Sequence, residues 1–134
     1  MALKNRALIP VLAPLLLGIA AALVFLVHYL EKNRAIVTIR NRTGLDLMGG
    51  QLGISSLPKD QEVGEIKDQD SAKMLFERFG DGHYVFAGQF KGGRTMADSG
   101  GYVASGASFK DEIVLAMRND TLLATFSRNA AKNP

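Results

Sequence analysis

The sequence predicts an all-β fold: an antiparallel β-sandwich or small barrel of about 6–8 strands, preceded by one N-terminal transmembrane helix. Three observations predict it. Residues 7–30, ALIPVLAPLLLGIAAALVFLVHYL, contain no formally charged side chain. Beyond them, short runs alternating apolar and polar residues recur roughly every 8 to 12 residues, punctuated by glycine, asparagine and serine. No later segment holds a 3.6-residue period long enough to stand as a helix.

At ~1.5 Å per residue, a helix over residues 7–30 exceeds the ~30 Å hydrocarbon core of a bilayer. Pro10 and Pro14 fall near its start, where backbone donors have few intrahelical partners anyway. His28 and Tyr29 fall at its far end, where amphipathic rings favour the headgroup level. Lys4 and Arg6 place the N-terminus inside. Lys32, Arg34, Arg40 and Arg42 follow closely and oppose that vote, but a large trailing domain is exported despite local charge. The orientation read from this is N-in, C-out, which in a bacterium puts the helix in the inner membrane and the domain in the periplasm. A cleaved signal peptide is the competing reading, with Ala20-Ala21-Ala22 as the small-residue site, yet cleavage there would leave LVFLVHYL as a bare apolar start. Ala13, Gly18, Ala20 and Ala21 are small positions suited to helix packing. The domain plan is therefore residues 1–34 as anchor and hinge, 35–128 as the β domain and 129–134 as a flexible tail.

The chain has no cysteine, which excludes disulfides, thiol chemistry and a lipid-modified cysteine. Its net charge is +3, but without Lys4 and Arg6 the remainder carries only +1, 14 basic against 13 acidic residues. Charges are interspersed with no basic run, so a nucleic-acid footprint is not supported.

Taken in order, residues 35–41 (AIVTIRN) alternate β-branched and polar side chains and read as a strand. Asn41-Arg42-Thr43-Gly44 is a turn. Residues 45–48 read as a short second strand, with Gly49-Gly50 a bulge or turn before residues 51–54. Residues 55–61 form a loop in which Pro58 denies a ladder donor. Residues 62–66 read as a strand closed by KDQDS. Residues 72–79 (AKMLFERF) suit either a two-turn helix or a strand; the strand, favoured here, puts Ala72, Met74 and Phe76 on one face and Leu75 and Phe79 on the other. Residues 83–90 (HYVFAGQF) put Tyr84, Phe86, Gly88 and Phe90 on a core face and His83, Val85, Ala87 and Gln89 opposite. Lys91-Gly92-Gly93-Arg94 is a hairpin turn requiring positive φ. Residues 95–99 return as a strand that Gly100-Gly101 breaks and Tyr102-Val103 continue, and Ser105-Gly106 turns again. Residues 109–117 and 121–127 form a last hairpin around Arg118-Asn119-Asp120.

Most motifs here mark turns, not chemistry. Gly88 to Thr95, GQFKGGRT, approaches a phosphate-binding G-x-x-x-x-G-K-[ST] loop with arginine for lysine, but MADSGGYV cannot supply the helix that such a loop needs. His83 with Asp81 and Ser99 offers the residue types of a hydrolytic triad without a nucleophile elbow or oxyanion loop. Asp68-x-Asp70 begins like a calcium loop and then departs at Ala72, Lys73 and Phe79. Asn41-Arg42-Thr43 and Asn119-Asp120-Thr121 are formal glycosylation sequons on turns. No cofactor or metal is expected. Tyr84, Arg94 and Tyr102 are the residues singled out for a partner surface, against the alternative that Tyr84 is core and Arg94 only solubilises a turn.

IVTIRNRTGLDL, GDGHYVFAGQFKGGRT and SGGYVASG, spread over residues 35–115, resemble small uncharacterised bacterial proteins in which a membrane or lipid anchor precedes one periplasmic β-rich domain. The resemblance implies an envelope-facing sandwich and carries over no site residue. The expectation is a single-pass envelope protein bound to the bilayer through residues 7–30. Its domain binds or supports another envelope protein, as accessory subunit or immunity-type module, without catalysis. The alternatives are a small-ligand or glycan-binding domain with an enclosed aromatic pocket, and a His83-dependent hydrolase.

Overall fold

The structure is a computed structural model that describes residues 9–31 and 33–129. Its order is α1 (Ile9–Glu31), β1 (Arg34–Arg42), β2 (Leu47–Ile54), β3 (Gln61–Val63), β4 (Ser71–Glu77), β5 (Gly82–Phe90), β6 (Thr95–Val103), β7 (Ser108–Arg118) and β8 (Thr121–Arg128). Residues 7–8 of the expected helix and 130–134 of the expected tail lie outside the described residues.

Along α1 the window Pro10–His28 has a mean hydropathy of 2.6 and none of it is buried. The helix is long and apolar enough to cross a membrane. At the expected hinge, residues 31–34, α1 runs to Glu31, β1 begins at Arg34, and Asn33 is bonded to the β4–β5 corner. Its backbone oxygen accepts from Arg78 N–H at 3.2 Å. Its side-chain amide, turned so that both atoms are satisfied, donates to Phe79 O at 3.1 Å and accepts from Phe79 N–H at 3.3 Å.

The strands form two four-stranded sheets, β4-β1-β7-β8 (sheet I) and β3-β2-β5-β6 (sheet II), which share one core. Ala35, Val37 and Ile39 of β1, Phe76 of β4, Ile113 and Leu115 of β7 come from sheet I; Leu52 and Ile54 of β2, Tyr84, Phe86 and Phe90 of β5, Val103 of β6 from sheet II. A chain that alternates inward and outward on a period of two buries one face of each strand, which is the pattern read in β1 and β5.

Five expectations change. Every ladder is antiparallel except β1–β7 at the centre of sheet I, which is parallel from Arg34↔Ser108 to Arg42↔Ala116; a parallel neighbour far along the chain leaves no turn signature. Residues 47–48 of the first expected segment and 51–54 of the second belong to one strand, β2, with Gly49-Gly50 inside it and a register shift beside Gly49, while residues 45–46 lie before it. Gly50 is needed for close approach, because a Cβ there would sit 2.3 Å from Ala87 O on β5. Likewise β6 does not break at Gly100-Gly101. The pairs Tyr84↔Gly100 and Gly82↔Val103 place one extra residue on β6, a bulge in which Gly101 adopts φ 67°.

The strand reading of residues 72–79 holds as β4, but Phe79 joins the core and not the opposite face. Arg78 at φ 54° reverses the alternation as the chain leaves sheet I for sheet II. The strand expected over residues 62–66 is shorter, β3, followed by a single bridge Leu47↔Ile66. The β7–β8 turn has Asn119 and Asp120 at φ 51° and 61°, the backbone that a two-residue hairpin requires and that Asn and Asp tolerate.

Candidate functional site

Two concave surfaces carry the polar groups relevant to a site on the sheets. The first is the outer face of sheet II. Glu62, Gln51, Ala87 and Ala97 stand side by side across β3, β2, β5 and β6, and Gly49, Gln89 and Thr95 form the adjacent row. Short side chains in the middle hollow the sheet into an open trough of about 830 Å³, rimmed by Asp60 and Glu62 and lined by no cationic side chain. Asp60 lies over Gly53, where any Cβ would collide with its carboxylate.

The second lies where β5, β6, β7 and β8 meet at the end of the domain at which β1 starts. Tyr84 Oη donates to Asp111 Oδ2 at 2.6 Å, and Arg128 Nε donates to Asp111 Oδ1 at 3.0 Å. Arg128 also donates from Nη2 to the carbonyl of Tyr102 and stacks its guanidinium 3.9 Å above the Phe109 ring. Tyr84 in turn stacks on Phe126 with ring centroids 6.5 Å apart. Burial above all, then the hydrogen bond to Asp111 and its negative charge, push the Tyr84 phenol well above its ordinary value of 10.0, while Arg128 opposes. The cleft beside this cluster is only about 230 Å³, below the ~300–1,000 Å³ typical of ligand sites. Both Asp111 oxygens are engaged by donors, and the arrangement is a polar staple between the sheets, with no nucleophile in it.

The three residues singled out from the sequence do not form one patch. Tyr84 is 1% exposed, so it is core, as the alternative reading had it. Arg94 and Tyr102 stand at opposite ends of β6, roughly 26 Å apart at ~3.3 Å per residue. Arg94 Nη2 donates to Asp120 Oδ1 at 2.8 Å and ties the β5–β6 hairpin to the β7–β8 hairpin. Tyr102 is 59% exposed.

Among the other motifs, GQFKGGRT crosses from β5 to β6 as a hairpin, with Gly92 and Gly93 at φ 91° and 84°, and no helix follows. The serine beside His83 is Ser55, whose Oγ lies 3.3 Å from His83 Nδ1 and accepts the His83 backbone N–H at 3.1 Å. Ser99 instead lies across the ladder from Val85, and Asp81 accepts from Ser105 N–H. Asp68 accepts from the Gly44 N–H. Among the described residues no group of three metal-ligating side chains occurs.

Asn41 of the first sequon is fully buried. It donates to Leu45 O at 2.7 Å and Ile66 O at 2.9 Å, and accepts from Thr43 N–H and Thr43 Oγ1. Sequence reasoning missed both this knot and the Tyr84–Asp111–Arg128 staple. A signal for the second was present: Phe109, Asp111, Ile113 and Leu115 share one strand face, and a carboxylate on an apolar face needs donors.

No family model matches the chain, and no curated protein sequence matches it. Among solved structures it is similar to the NMR structure of a protein from Eubacterium rectale, with a TM-score of 0.56 at 14% identity over 75% of this chain and 95% of that one. At that identity the likeness concerns the fold alone.

Proposed function

We propose that this is a single-pass membrane-anchored envelope protein, N-in, whose β-sandwich is held in the periplasm and binds or supports another protein without catalysing a reaction. The membrane-spanning role of α1 rests on its uncovered apolar length, and the orientation on Lys4 and Arg6 ahead of it. The observation that carries the binding reading is the trough on sheet II. It is broad, open and floored by Gly49, Ala87 and Ala97, a shape suited to a partner's polypeptide segment and too unenclosed to surround a small molecule. Its rim is acidic, so the segment that fits carries lysine or arginine. Tethering supplies the rest: an anchor raises the domain's effective concentration for a partner in the same membrane. The likeness of IVTIRNRTGLDL and GDGHYVFAGQFKGGRT to anchored bacterial β-rich proteins agrees with this placement.

The test is mild-detergent affinity purification of the full-length tagged chain beside Ala87→Arg and Ala97→Arg. Both alanines are exposed, so the fold survives while the trough is filled and its charge inverted. A stoichiometric partner recovered by the parent and lost from both variants supports the reading. Equal recovery by all three excludes the trough, and a parent that recovers nothing above background argues against a protein partner.

A further inference from the structure

The base of the domain is held close to the end of α1. Asn33 is bonded to Arg78 and Phe79, so only residue 32 separates a fixed position from Glu31, the last helical residue. Two Cα–Cα steps span at most ~7.6 Å, and the three helical residues beyond His28 add ~4.5 Å. Asn33 therefore stands within about 12 Å of the apolar window's end, while a headgroup layer adds about 5–8 Å per side to the hydrocarbon core.

The surface presented there is a groove of about 390 Å³ lined by Arg34, Ile36, Ser108, Phe109, Lys110 and Arg128. Three of these are cationic and none is a carboxylate. Arg34 pairs with Glu77 at 3.0 Å and Arg128 with Asp111 at 3.0 Å, so their charges are largely met from the domain side. Lys110 makes no ion pair among the described residues. Ile36, 38% exposed, lies directly beside Lys110 across the β1–β7 ladder and beside the exposed Leu75 across β1–β4, giving an apolar surface next to the cation. Tyr102 is exposed at the same end, as aromatic rings at a membrane interface commonly are.

We infer that this groove seats the base of the domain on anionic phospholipid headgroups, with Lys110 meeting phosphate charge and Ile36 and Phe109 meeting the glycerol and upper acyl region. The inference rests on α1 spanning the bilayer. Its consequence is orientation: the strand axes stand at a restricted angle to the membrane, and the trough on sheet II is presented to neighbours in the same membrane plane.

The experiment uses the full chain in lipid nanodiscs with and without phosphatidylglycerol. Because the chain has no cysteine, single labels can be placed by Ser105→Cys near the base and Lys91→Cys in the β5–β6 hairpin at the far end. Collisional quenching by headgroup-labelled lipid is then read at each. The expected result is stronger quenching at position 105 when phosphatidylglycerol is present, weakened about fivefold in seated population by Lys110→Ala and retained by Lys110→Arg, with position 91 unaffected. Equal quenching at position 105 in both lipid mixtures, or Lys110→Ala indistinguishable from the parent, overturns the inference while leaving the anchor standing. A chain that an alkaline wash strips from the bilayer overturns the anchor itself, and this inference with it.

Discussion

The phenol of Tyr84 donates to Asp111 Oδ2 at 2.6 Å and thereby joins β5 of sheet II to β7 of sheet I through the interior. Asp111 is 5% exposed, and its other oxygen is met by Arg128. Removing either partner leaves a buried polar group short of a bond. Tyr84→Phe is expected to lower stability by about 1–2 kcal/mol, and Asp111→Ala by about 2–3 kcal/mol, the ion-pair share being reduced because Arg128 is half exposed. Chemical denaturation of the full chain in detergent checks both. A Tyr84→Phe variant as stable as the parent would show the staple to be energetically idle.

The same phenol sets an alkaline limit. Its folded-state pKa is raised above the ordinary 10.0, so below pH 10 both states hold the proton and this group adds no pH dependence. Above pH 10 the unfolded chain releases the proton first and stability falls, by up to ~1.4 kcal/mol per pH unit. The advantage of the parent over Tyr84→Phe should therefore shrink as pH rises above 10. Denaturation midpoints of the two at pH 9, 10 and 11 measure this; a constant difference contradicts it.

Gly50→Ala should be severe, costing about 3 kcal/mol or more, since the added Cβ would meet the backbone of Ala87 at 2.3 Å and of Gly88 at 2.9 Å and would push β2 from β5. Gly64→Ala meets nothing within 4 Å and is expected to be silent. Thermal melts of the pair separate a steric requirement from a general intolerance of glycine replacement.

Asn41→Leu keeps the branched shape of a fully buried side chain but removes one of the two donors to the carbonyls of Leu45 and Ile66, which keep Thr43 Oγ1 and Leu47 N–H, and takes the acceptor from the buried Thr43 N–H. A loss of about 1–3 kcal/mol follows from leaving that N–H unpaired. Amide exchange at Leu47 and Ile66, whose backbones bond each other at 2.9 and 3.0 Å, should accelerate with it. Unchanged protection there would show that the knot does not hold this end of the sheets together.

Arg94→Ala is the contrasting case. Arg94 and Asp120 are both exposed, at 41% and 81% of their side chains. Such pairs contribute about 0–1 kcal/mol, so the melting temperature should barely move. A drop comparable to Asp111→Ala would mean that joining the two hairpin tips matters more than burial suggests.

Some of this architecture is written locally. The alternation of Tyr84, Phe86, Gly88 and Phe90, the glycines of the β5–β6 turn and Asn119-Asp120 of the last turn all act within a few residues, so period two and positive φ can be read from the chain directly. The uncharged apolar run of α1 is equally local. Only the tertiary structure decided which strands are neighbours: the parallel pairing of β1 with β7, the division of eight strands between two sheets, and the merging of two expected segments into β2. Those outcomes depend on contacts between residues far apart in sequence, as Tyr84 and Asp111 are, and no local preference encodes a distant partner. The sequence by itself determined an apolar helix followed by a strand-rich domain with a defined core face; the tertiary structure decided that Tyr84 is a buried staple, that Asn41 is a core knot and that small residues from three strands hollow out one trough. The physical reason is that patterning selects which face of a strand is buried, while packing and hydrogen-bond satisfaction select what that face meets.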